Sequence, residues 1–103
     1  MRRIAAILII AASLAACGFF GELVDGWKHA KAVETDLEKS VGLKPHVGFK
    51  WSNGRLVLVT VSFPELYDKV PVRELAEVVR ASVITQFRQR PENIELAFWL
   101  GKS

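Results

Sequence analysis

The chain has 103 residues, one cysteine, 14 basic and 11 acidic side chains, and a formal net charge of +3. A length of this order bounds it to one small domain, and a lone cysteine excludes an internal disulfide. The basic balance points to nucleic acid only weakly, because Arg2 and Arg3 stand at the very start and without them the two signs are nearly level.

Met1-Arg2-Arg3 opens the chain, and Ile4 to Ala16 follows without a charge. As a helix this run rises roughly 20 Å, short of the roughly 30 Å apolar core of a bilayer. A cationic start, a short apolar middle and small residues at its end are the three parts of an export signal. Leu14-Ala15-Ala16-Cys17 resembles the lipobox of bacterial lipoproteins. The resemblance implies a signal peptide over 1–16, cleavage before Cys17, and acylation of that cysteine. The other reading is an ordinary secretory signal followed by a buried thiol. Two or three acyl chains on one residue would hold the protein on a membrane essentially permanently, since each buried methylene contributes about 0.8 kcal/mol. Gly18 in place of an aspartate after the cysteine implies, within that family, the periplasmic face of the outer membrane in a cell with two membranes.

Residues 17–21 form a short tether with little room to roam. Phe19 and Phe20 either insert at headgroup level, where aromatic rings are favourable, or pack as the start of the folded part. Residues 22–103 are expected to form one domain. A first helix is predicted over 22–41. Leu23, Trp27, Ala30, Val33, Leu37 and Val41 recur along one side, and Gly42 stops the helix. Trp27 with Lys28 and Lys31 also forms a candidate membrane contact. Glu34, Asp36 and Glu38 read as carboxylates spread over a solvated face.

Asn53-Gly54 separates two runs rich in β-branched and aromatic residues, which predicts a two-residue hairpin with a type I′ turn. A regular ladder from that turn sets Trp51 opposite Leu56, Phe49 opposite Leu58 and Val47 opposite Thr60. Val47, Phe49, Trp51, Leu56 and Leu58 then meet the helices. Val57, Val59, Val61 and Phe63 fall on the other face, either covered by the rest of the protein or open. Pro64 ends the strand. Pro71 opens a second helix to about Gln89, with Val72, Leu75, Val79, Val83 and Phe87 inward. Asn93 to Leu100 makes a last strand, with Trp99 on the same outer face as Val57, Val59 and Val61. The order α-β-β-α-β predicts a two-layer α+β domain, two helices covering one face of a three-stranded sheet.

From about Val33 to Phe98 this pattern is similar to the BON domain of bacterial envelope proteins, and "NGRLVL" at Asn53, Gly54, Leu56 and Leu58 carries the local likeness. Thr60 stands where that family usually has glycine, and the glycine-valine ending of its second helix is replaced here by "FRQRPEN". The likeness implies attachment to phospholipid surfaces or envelope partners.

No catalytic, metal or cofactor constellation emerges. His29 and His46 lack the convergent ligands a metal needs, and the serines lie in no nucleophile motif. The expectation is a non-enzymatic envelope lipoprotein, anchored to membrane lipid through acylated Cys17 and free of nucleic acid. Its outer sheet face (Val57, Val59, Val61, Trp99) would dock an envelope protein or a second copy as part of an envelope assembly. On that view Val59→Lys abolishes association without unfolding. The alternative is a phospholipid-surface binder using Phe19, Phe20, Trp27, Lys28 and Lys31.

Overall fold

The computed structural model describes residues 24–102. Cys17, Phe19, Phe20, Leu23 and the predicted signal peptide lie outside the described residues. Helix α1 occupies 24–41 and ends at Gly42, whose φ of +86° is the left-handed conformation that glycine adopts without strain. The Gly42 amide still donates to the Glu38 carbonyl at 3.0 Å. Strand β1 is His46–Ser52, β2 is Arg55–Phe63, helix α2 is Val72–Gln86 and β3 is Asn93–Phe98. The expected α-β-β-α-β order therefore holds, as does the α+β class.

The sheet order is β1-β2-β3. β1 and β2 are antiparallel, and β2 and β3 are parallel. A parallel neighbour needs a crossover, and α2 supplies it. Both helices cover one face of the sheet. Ala30, Val33 and Leu37 from α1 meet Leu75, Val79 and Val83 from α2 over Val47, Leu56, Val59, Val61 and Phe63. Aromatic pairs stand at opposite ends of this core: Phe49 against Phe87 with ring centroids 6.2 Å apart, and Phe63 against Phe98 at 6.1 Å.

The turn behaves as expected: Asn53 and Gly54 both have positive φ, 52° and 76°. Ser52 opposes Arg55 and Trp51 opposes Leu56. Beyond that pair the ladder departs from the regular register. Lys50 opposes Leu58, Phe49 opposes Val59 and Val47 opposes Val61, so Val57 is an extra residue in β2. This is a β-bulge, which leaves one residue unpaired and re-aims those beyond it. Leu56 and Val59 both face the core across it, and Val61 and Phe63 follow Val59 inward. Leu58 and Thr60 turn to the open face instead.

Four helical expectations are corrected. Trp27 is 58% exposed, and Gly26 takes the inward position in its place. The reason is space: a Cβ on Gly26 would sit 2.7 Å from the Phe49 ring. Val72 is exposed at the first turn of α2, beyond the edge of the core. Glu34, expected in solvent, is only 4% exposed. α2 also stops at Gln86, and Phe87 is already extended while its amide donates to the Val83 carbonyl at 3.0 Å.

Candidate functional site

The four residues expected to dock a partner do not share a surface. Val59 and Val61 are both 0% exposed, in the middle of the core. Val57 is half-buried at the bulge, and Trp99 is 65% exposed just past β3. The apolar outer face drawn from the sequence is therefore a correction: the bulge sends its valines to the helices. Alternation along the strands leaves His46, Gly48 and Lys50, then Leu58, Thr60 and Ser62, then Glu95, Ala97 and Trp99 on the open face. That face is mixed and largely polar.

The candidate membrane-contact residues fare differently. On α1, Ala30, Val33, Glu34 and Leu37 are buried, while Val24, Trp27, Lys28 and Lys31 are exposed. The helical repeat of 3.6 residues puts these four on the outward side of the first two turns. The Lys31 ammonium stands 6.0 Å from the centroid of the Trp27 ring, within reach of a cation–π attraction. Further along the same side, Lys28, Lys31 and Lys39 line a shallow depression of about 440 Å³ with Thr35, Asp36 and Gln86.

Lys31 also pairs with Glu34, Nζ to Oε1 at 3.4 Å. The second oxygen of Glu34 accepts the backbone N–H of Val47 at 3.0 Å. β1 is an edge strand, so a helix carboxylate satisfies a main-chain donor that no neighbouring strand takes. No local signal in the sequence marks Glu34 for this role, since its neighbours Asp36 and Glu38 share its composition and not its position on the helix.

Two other concavities can be judged by what their polar groups already do. One, about 570 Å³, lies between the end of α1 and the start of α2. Val41, Tyr67, Val70 and Leu75 make its apolar lining, with Arg73 and Glu74 among its polar residues. The other, about 330 Å³, gathers Asp25, His29, Trp51, Arg88 and Gln89. There the Asp25 carboxylate pairs with the Arg88 guanidinium at 3.5 Å. The Gln89 side-chain carbonyl accepts the Leu56 amide at 2.5 Å, and its NH₂ donates to the Gly54 carbonyl at 3.3 Å. The His29 ring packs against Phe87, centroids 5.6 Å apart. Asp25, Arg88 and Gln89 are engaged in these contacts, which tie the segment after α2 to α1 and to the hairpin, while the buried Trp51 indole N–H has no hydrogen-bond partner among the described residues. His46 lies exposed at the start of β1. Among the described residues no three His, Cys, Asp or Glu side chains are placed to hold a metal ion.

No helix among the described residues is long and apolar enough to cross a membrane. The chain matches no protein-family model, no curated protein and no solved structure.

Proposed function

We propose that the chain is a non-enzymatic envelope lipoprotein, fastened through acylated Cys17, whose α1 rests its first turns on anionic phospholipid headgroups. One observation carries the headgroup contact: Val24, Trp27, Lys28 and Lys31 are exposed together on the outward side of α1. Tryptophan favours the membrane–water interface, and each lysine near an anionic surface contributes about 1 kcal/mol. The sequence supports the anchor through Leu14-Ala15-Ala16-Cys17 after a charged start and an apolar run. The stretch from Cys17 to Val24 spans at most about 25 Å even when fully extended. An anchor at Cys17 therefore keeps the exposed Trp27 and its lysines close to the bilayer. The acyl chains supply attachment, and the helix face sets orientation. With Gly18 after the cysteine, the periplasmic face of the outer membrane is the proposed location in a cell with two membranes. The docking role proposed for the open sheet face loses its basis, because Val59 and Val61 belong to the core.

Two measurements test this. Mass spectrometry of the protein taken from its native membrane should find Cys17 as an acylated amino terminus. An intact leader or a free thiol there would remove the anchor. A chain starting at residue 17 with Cys17→Ser isolates the helix face. It should bind phosphatidylglycerol vesicles weakly and in a salt-sensitive way, and lose most of that binding in Lys28→Gln/Lys31→Gln and in Trp27→Ala. Equal binding to neutral and anionic vesicles would remove the headgroup contact and leave the anchor standing.

A further inference from the structure

The two edges of the sheet are unequal. On β1 the Val47 amide is taken by buried Glu34, and Lys50 and His46 stand exposed along the strand. Charged residues and covered donors are what blunt an edge against pairing with another chain. On β3, by contrast, no outward donor is covered by a side chain among the described residues. Its sequence is Asn-Ile-Glu-Leu-Ala-Phe, with Glu95 its one charge, and among the described residues it pairs with β2 alone. The Trp99 amide donates inward to the Phe63 carbonyl at 2.9 Å. Main-chain groups of a parallel strand alternate sides, so Glu95 and Ala97 also bond towards β2, and Ile94, Leu96 and Phe98 point theirs outward. Among the described residues no side chain hydrogen-bonds those outward groups. The helix layer does not fully cover this strand either. Ile94, Leu96 and Phe98 are half-buried, whereas their register neighbours Val59, Val61 and Phe63 are fully buried.

We propose that β3 is a docking edge for a second copy of this chain. The two β3 strands pair antiparallel about Leu96 into one continuous six-stranded sheet. The strand is self-complementary in that register. Leu96 faces Leu96 of the partner subunit, and Ile94 faces the partner's Phe98. Those are the residues whose main-chain groups point outward, so about six hydrogen bonds form across the joint. On the open face Glu95 lies opposite the partner's Ala97, and no like charges meet. Centring one position earlier would set Glu95 against Glu95 of the partner subunit, which like-charge repulsion disfavours. Directly opposed residues share a face, so both helix layers lie on the same side of the extended sheet and the apolar edges of Ile94, Leu96 and Phe98 cover one another. This pairing is independent of the lipid reading and uses none of its residues.

The test is sedimentation equilibrium of the full chain in density-matched detergent, with thermal melts to follow the fold. The expected result is a reversible dimer. Ala97→Glu sets a glutamate opposite Glu95 of the partner subunit, once on each side of the two-fold axis, and weakens the dimer about tenfold. Adding Glu95→Lys to that variant restores it. Ala97→Lys alone, facing Glu95 of the partner subunit, tightens it by a similar factor, and decides the matter if Ala97→Glu melts below the assay temperature. A monomer at every concentration would overturn the proposal, as would a dimer indifferent to these charges or one that the double variant fails to restore.

Discussion

Replacing Glu34 tests whether a helix carboxylate closes the β1 edge. Its Oε2 accepts the Val47 amide at 3.0 Å in a buried setting. Its Oε1 meets Lys31 Nζ at 3.4 Å, with the lysine side chain 62% exposed. A hydrogen bond to a charged acceptor contributes about 1.5–3 kcal/mol, and its loss here strands a donor. An ion pair with so exposed a partner adds about 1 kcal/mol at most. Glu34→Ala should therefore destabilise by about 2–4 kcal/mol, and Lys31→Ala by about 1 kcal/mol or less. Glu34→Gln keeps an acceptor for Val47 and should fall between them. In a domain of this size 1 kcal/mol moves Tm by about 4–8 °C, so the three variants separate clearly. The assay is urea unfolding followed by far-UV circular dichroism, on the chain from residue 17 with Cys17→Ser. Hydrogen exchange at the Val47 amide reports the same bond locally. Equal losses from Glu34→Ala and Lys31→Ala would refute the reasoning, because the ion pair and not the edge amide would then be the stabilising contact.

Three further outcomes are expected. Val59→Lys should leave the chain unfolded at 25 °C, because it buries an unpaired ammonium in the core, whereas Leu58→Lys on the open face should shift the urea midpoint little; comparable midpoints for the two would contradict the bulged register. Gly26→Ala should destabilise by about 1–3 kcal/mol through contact with the Phe49 ring, and Phe49→Leu in the same chain should recover part of that loss in thermal melts. Gln89→Ala, which removes both side-chain bonds to the hairpin, should lower stability by about 1–3 kcal/mol and speed hydrogen exchange at Leu56.

The element order was legible because its markers are local. Asn53-Gly54 needs positive φ, Gly42 ends a helix, and prolines flank α2. Pairing was legible only next to the turn. A hairpin loop fixes its adjacent pairs, and a bulge beyond them changes the count. The corrective signal was present in the sequence: Val59-Thr60-Val61-Ser62-Phe63 alternates apolar and polar, and that alternation sets Val59 inward. On α1, the series Gly26, Ala30, Val33, Leu37 is as regular as one running through Trp27. Glycine simply carries no hydrophobic signal, so its close approach to Phe49 was invisible. Glu34 and Gln89 bond to main-chain groups distant in sequence, and no spacing rule reaches those. The exposed pair Trp27 and Lys31 was legible as an i, i+4 neighbourhood, although the same tryptophan also fitted the inward stripe.

Val57 has a consequence for how this chain can change length. The phase of β2 is imposed from its far end, where Val59, Val61 and Phe63 are locked under the helices, and the tip of the hairpin only has to meet it. Excising Val57 would join Leu56 to Leu58 in ordinary alternation and leave every core side chain pointing where it does now. The hairpin tip thus acts as a slip joint that absorbs a gained or lost residue, while the same change after Val59 would turn the centre of the sheet inside out.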